Sequence, residues 1–324
     1  MSASLVVRLA AASRRKVRYL CRSLSTDQPG NGDPHPAPPP DGEPAERRPR
    51  KDPSGRSVLL FPGTGGRAAE DGSLSAGCVC HLASCSGEAE PRKPQGFSVG
   101  EFAALVFSGA MNFAEALYAV KVRAEAMQKA SELVPSGMLS VIGRPQAQYK
   151  YACLQAKEHC KSLGITEPVC SVANYLFPDG RVIAGHQQAL DFLQKNSRHL
   201  QFMRTKPLPV SGAFHTELMK SATEPLREVL RQVEVRRPEI NVYSNVDGKR
   251  YMNESHVRRQ LVKQLVSPVK WEQTLHEIFE RMQGEKFPHT YEVGPGKQLG
   301  ATLQKCNRKA FNTYTHVDVT TYDD

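Results

Sequence analysis

The sequence predicts an α/β fold, a parallel-sheet large domain with a ferredoxin-like small domain inserted into it, and three observations predict it. A short apolar run, Ser57 to Phe61, is closed by Pro62-Gly63, the pattern of a buried parallel strand ending in a ligand-facing turn. Between residues 138 and 206 strand and helix signals follow one another as βαββαβ, the order of a ferredoxin-like unit. Gly96-Phe97-Ser98-Val99-Gly100 precedes a helical pattern, and G-x-S-x-G ahead of a helix marks the strand-to-helix elbow of an α/β-hydrolase-like sheet.

Each element is read in turn. Residues 1–26 contain Arg8, Arg14, Arg15, Lys16, Arg18 and Arg22 ahead of the first acid, Asp27. An Arg- and Ser-rich, acid-poor start predicts a mitochondrial transit peptide and a matrix address, the blander reading being a disordered basic tail. Residues 27–56, with Pro34, Pro36, Pro38, Pro39 and Pro40 in close succession, are predicted to be a disordered linker. The large domain is assigned to 57–137 and 207–324, the small one to 138–206. Within the former, 64–95 is atypical. Its last eight residues, Glu88 to Gln95, hold four charges and two prolines, which predicts that they form no central parallel strand. The segment is expected to be disordered.

From Glu101 to about Ala130 apolar residues recur at helical spacing, first Phe102, Leu105 and Val106, then Phe113, Leu117, Val120, Val122 and Met127. In the small domain a strand is predicted at 138–142 and a helix at 147–163. A hairpin at 169–174 and 181–184 surrounds Pro178-Asp179-Gly180, with a helix at 187–193 and a strand at 200–203. The chain is expected to return to the large domain through a strand end at 207–210. Then follow a helix after His215, a strand at 240–243, helices at 254–266 and 271–283, and a strand at 289–293 ending in Gly294-Pro295-Gly296.

Composition narrows the function. The formal charge is +10, but residues 1–56 carry 11 Lys/Arg against 6 Asp/Glu, so half of the excess is in the N-terminal tail. No aromatic-interleaved basic motif follows, which argues against nucleic acid. The remaining mild basicity suits an acidic partner or a phosphate-bearing ligand. No run of about 18 apolar residues suggests a membrane span. Of the eight cysteines, Cys78, Cys80 and Cys85 surround His81. That spacing is no standard finger and lacks a second ligand pair, so no metal is expected.

The chemistry centres on Ser98. Glycine flanks permit a sharp turn that exposes its hydroxyl, with the N–H of Val99 beside it as an oxyanion donor. A lone serine needs a base, and His215 in Ser211-Gly212-Ala213-Phe214-His215 is the candidate, against the alternative of a histidine packed at a strand end. Arg123 stands among Val120, Val122 and Met127, where arginines usually snorkel or pair. Glu125, two residues on, does not face it.

These residues, with Phe61-Pro62-Gly63 and Tyr291-Glu292-Val293-Gly294-Pro295-Gly296, resemble the malonyl-CoA:acyl carrier protein transacylase family, and Phe97 resembles its animal mitochondrial form. The resemblance implies that Ser98 and His215 are nucleophile and base, and that the backbone carbonyl at Gln264 orients the histidine. It makes Arg123 the fork that holds the malonate carboxylate. Thr64 stands where the family's second oxyanion donor lies, and Asn174 at a position supporting the cleft, alongside its plain reading as a structural asparagine. The implied partners are malonyl-CoA and an acidic acyl carrier protein docking on a basic rim. No cofactor or metal is implied, nor any nucleic acid or membrane.

The match covers 57–63 and 96–324 but not 64–95. A second reading is therefore a catalytically impaired, shortened form that at most binds carrier protein. A third is a serine esterase or thioesterase, which G-x-S-x-G alone fits; a buried Arg123 would speak against neutral acyl chains.

Overall fold

The computed structural model describes residues 57–63 and 92–317. The expected transit peptide, the linker, Thr64 and the Cys78–Cys85 group lie outside the described residues. Expected disorder of 64–95 can be compared only at its last four residues, and there the structure differs. Strand β1 (Ser57–Phe61) pairs in parallel with β2 (Arg92–Gly96), in register from Ser57 opposite Arg92 to Phe61 opposite Gly96. Arg92, Lys93 and Pro94 did not prevent a strand because, among the described strands, β2 lies at the edge of its sheet. Phe97 N–H donates to Phe61 O at 2.9 Å. The two-residue strand period then turns position 94, where proline lacks a donor, away from β1.

β1 also pairs in parallel with β8 (His289–Val293), and β8 with β9 (Tyr314–Val317), giving the all-parallel order β2-β1-β8-β9. β1 is apolar throughout because both its faces are covered. Leu59 and Phe61 pack in the cluster of Phe102, Leu105, Leu226 and Leu261, while Val58 and Leu60 pack with Tyr243, Trp271, Leu275 and Ile278.

The helical stretch after Ser98 is two helices, α1 (Gly100–Phe107) and α2 (Phe113–Glu132). Gly109, at φ +74°, turns the chain between them, and the Asn112 side chain caps α2 by accepting the Ala114 N–H at 3.0 Å. The region from 136 to 207 runs β3 (Ser136–Gly143), α3 (Tyr149–Ser162), β4 (Cys170–Phe177), β5 (Gly180–His186), α4 (Gln187–Lys195) and β6 (Phe202–Pro207). Its sheet has the order β6-β3-β5-β4, neighbours antiparallel, over a core that includes Leu139, Ile183, Leu190 and Leu193. It is extended by the two-residue strand β7 (Val269–Lys270), which pairs in parallel with β4 at Asn174 and Tyr175.

Two expected strands are absent. Residues 208–210 form no strand, because after Leu208 N–H donates to Met138 O at 2.9 Å the Val210 N–H turns back to Leu208 O at 2.9 Å. Residues 240–243 form only a bridge between Tyr243 and Arg250. Their neighbour β2 lacks a donor at Pro94, and the Gln95 side chain takes the Tyr243 N–H at 3.2 Å in place of a backbone carbonyl. The remaining helices are a 3₁₀ turn (Glu217–Ala222), α5 (Thr223–Gln232), α6 (Glu254–Gln264), α7 (Trp271–Phe279), α8 (Gln298–Cys306) and α9 (Arg308–Phe311). Among the described residues no helix is long and apolar enough to cross a membrane.

Candidate active site

The chain turns from β2 into α1 within four residues, and both flanking glycines are sterically required. A Cβ on Gly96 would overlap the Gly100 carbonyl, and one on Gly100 would overlap the Phe61 carbonyl. Ser98 itself sits at φ +54°, a left-handed conformation that costs a non-glycine residue on the order of 1–3 kcal/mol. Something must hold it there. Asn245 does so from both sides, its Oδ1 accepting the Ser98 N–H at 2.7 Å and its Nδ2 donating to Gly96 O at 2.7 Å. Val99 occupies the N-cap of α1, where backbone N–H groups lack intrahelical acceptors.

His215 is buried and also left-handed, at φ +62°. Its Nε2 lies 2.9 Å from Ser98 Oγ and its Nδ1 lies 2.8 Å from Gln264 O. A carbonyl only accepts, so Nδ1 carries the hydrogen and Nε2 presents a lone pair to the serine hydroxyl. Burial first, and then the nearby Arg123 charge, hold the imidazole down to about 4. The ring is neutral near pH 7, the state in which it can accept a proton.

Arg123 reaches the same hydroxyl from α2. Its Nη2 donates to Ser98 Oγ at 3.1 Å and to Gln264 Oε1 at 3.0 Å, while its Nε is buried without a hydrogen-bond partner. Burial lowers the guanidinium to about 10, opposed by the charge of Glu101, and it stays a cation. His215, from the loop before the 3₁₀ turn, and Arg123, from α2, thus converge on one oxygen, and Gln264 of α6 bonds to both of them.

Sequence reasoning passed over two members of this cluster. Glu101, which the sequence marks only as the start of a helical pattern, is fully buried. Its Oε1 accepts from Asn245 N–H at 3.0 Å and from Tyr251 OH at 2.5 Å, and its Oε2 accepts from Gln264 Nε2. Burial raises its carboxyl to about 7 against these hydrogen bonds. An acid three residues after the elbow serine, in the first turn of an apolar helix, was the available signal. Asn245 gave none. Of the expected residues, Asn174 stands on β4 with its Oδ1 buried and unpartnered, and among the described residues no hydrogen bond joins it to Ser98, His215 or Arg123. Gly294-Pro295-Gly296 closes β8 and leads to α8, with Gly294 N–H donating to Val317 O at 3.1 Å. Among the described residues no cluster of His, Cys, Asp and Glu could hold a metal ion.

Fold and site together define an α/β protein with a serine hydroxyl in hydrogen-bond contact with a neutral histidine and flanked by a buried cation, an arrangement suited to acyl transfer. The chain belongs to the acyl transferase family, matching the acyl transferase domain over residues 78–314. It is 65% identical over 224 residues to the mitochondrial malonyl-CoA-acyl carrier protein transacylase of Homo sapiens, covering 69% of this chain and 57% of that one. A probable mitochondrial transacylase of Drosophila melanogaster is 48% identical over 215 residues, covering 66% and 57%. The crystal structure of MCAT from Streptococcus pneumoniae superposes with TM-score 0.68 at 26% identity, over 81% of this chain and 95% of that one. A malonyl-transacylase solved in complex with a type II polyketide acyl-carrier protein superposes with TM-score 0.66 at 26% identity, over 82% and 96%. The chain spans under three-fifths of the length of the human and fly relatives.

Proposed function

We propose that this chain transfers malonyl from malonyl-CoA to the phosphopantetheine thiol of an acyl carrier protein, within mitochondrial fatty acid synthesis. The observation that carries this reading is Arg123, a buried cation one hydrogen bond from the Ser98 hydroxyl and with its Nε free for a further acceptor. His215 takes the Ser98 proton as the oxygen attacks the thioester carbonyl, and the oxyanion is met by the Val99 N–H, with Thr64 as the second donor. Collapse expels the CoA thiolate, which takes the proton from the imidazolium, and leaves malonyl-Ser98. The carrier's thiol then repeats the sequence in reverse. Arg123 holds the malonate carboxylate with charge-assisted hydrogen bonds throughout, a fit that neutral acyl groups lack. Gln264 orients the histidine through its carbonyl, and Asn174 supports the cleft wall.

The carrier is read as acidic, docking on a basic rim. A groove of about 590 Å³ is walled by the 3₁₀ turn that follows His215, by α5 and by α6, which ends at Gln264; Lys220, Arg227, Arg231, Arg258, Arg259 and Lys263 line it. Residues 138–206 are assigned to an inserted ferredoxin-like domain, supported by the strand order β6-β3-β5-β4, and 57–137 with 207–324 to the large domain. Residues 1–26 are assigned to a matrix-directing transit peptide, supported by the mitochondrial names of the relatives.

Intact-protein mass after mixing with malonyl-CoA is the test. A malonyl adduct on Ser98 is expected. The second reading, a shortened form that binds carrier protein without transfer, rests on the atypical segment 64–95, and absence of an adduct would select it.

A further inference from the structure

A guanidinium taken out of water needs an anion nearby, because an uncompensated buried charge is costly. Yet among the described residues no ion pair joins Arg123 to a carboxylate. The negative group that opposes its desolvation is Glu101, and the Gln264 side chain lies between the two. Arg123 Nη2 donates to Gln264 Oε1 at 3.0 Å, and Gln264 Nε2 donates onward to Glu101 Oε2. The amide fits in one orientation only, its acceptor toward the cation and its donor toward the carboxylate. The same Nε2 donates to Ser98 O at 3.0 Å, and the same residue's carbonyl accepts from His215.

A direct arginine–glutamate fork would occupy the parallel donors that a substrate carboxylate needs. Here the compensating charge is one amide removed, and Arg123 Nε is left without a partner. We propose that Glu101 and the Gln264 side chain are positioning residues, a relay that supplies Arg123 with a counter-charge while leaving its Nε–H for the substrate's carboxylate. The proposal deepens the malonyl-transfer reading and rests on it for the identity of that carboxylate. The groups facing Glu101 are Arg123 from α2, Gln264 from α6, and Asn245 and Tyr251 from the loop before α6; His215 also feels the charge of Arg123.

Two measurements test it. The first needs no activity. Denaturant midpoints are compared for wild type, Glu101→Gln, Arg123→Met and the double variant at pH 6 and pH 8. The double variant is expected to be more stable than the two single losses combined predict, and the coupling is expected to grow from pH 6 to pH 8 as Glu101 ionises. Additive losses at both values overturn the relay. The second uses Gln264→Glu, which places a carboxylate directly on Arg123. Its malonyl-to-acetyl labelling ratio is expected to fall tenfold or more, and a ratio within twofold of wild type overturns the relay. Coupling without malonyl labelling of the wild type would sink the transfer reading and leave the relay standing.

Discussion

The half of the molecule around Ser98 and the sheet of residues 136–207 bury very different things. The small sheet encloses Leu139, Val141, Cys153, Ala156, Ile183, Leu190, Leu193 and Phe202, with its arginine–glutamate pair, Arg181 to Glu272 at 3.0 Å, at the seam with α7. The elbow instead buries Glu101, Arg123, His215 and Gln264 together and holds Ser98 and His215 at positive φ, against Gln201 in the small-sheet region. Buried ionisable groups and strained backbone each cost stability. The difference teaches that the small sheet is built for packing, and that the elbow gives up stability to concentrate charge at one hydroxyl, the pattern expected of a reactive site.

The largest expected effect breaks the comparison on the elbow side. Ser98→Ala should abolish malonyl labelling, and His215→Ala should slow it by about 10²–10⁴-fold, both read by intact mass against time. Labelling that survives in the serine variant would remove the elbow's claim to be the site. Next, Arg123→Ala should lower malonyl transfer relative to acetyl transfer by roughly ten- to a hundredfold, the worth of about 1.5–3 kcal/mol of charge-assisted hydrogen bonding. Equal loss for both acyl groups would make Arg123 another structural charge.

On the other side, Leu193→Ala removes a fully buried side chain from the small sheet's core. It should cost about 2–5 kcal/mol in chemical denaturation without altering the malonyl-to-acetyl ratio of the folded protein. A shifted ratio would show the two regions to be coupled.

The smallest effects are in pH. His215 is held at about 4 against an ordinary 6.5. Between those values the unfolded chain binds a proton that the folded chain refuses, so stability is lost as pH falls. The rate of malonyl labelling should show its acid limb near pH 4, and a limb near 6.5 would mean that the imidazole is not the buried base. Glu101 runs the opposite way. Raised from 4.5 to about 7, its contribution is present below pH 4.5 and lost as pH rises to 7, a slope that Glu101→Gln should remove from a denaturation series.

Local pattern alone determined much of this protein. The apolar run of β1, the periodic residues of α2, the turn at Pro178-Asp179-Gly180 and the glycines of the elbow all act through neighbours within a few positions. So Ser98 stood out, and the family resemblance pointed to His215, Arg123 and the Gln264 carbonyl as its companions. The tertiary structure decided what reaches across the chain. Whether Arg92–Gly96 becomes a strand depends on its place at the edge among the described strands, where a proline's missing donor is harmless, and local composition is silent on that. Whether residues 240–243 become one depends on the side chain of Gln95, 148 positions from the Tyr243 donor it meets. Asn245 meets Ser98 across 147 positions, and Gln264 meets Glu101 across 163. A hydrogen bond depends on separation in space, and spacing in sequence carries no trace of that once the intervening chain has folded into other elements.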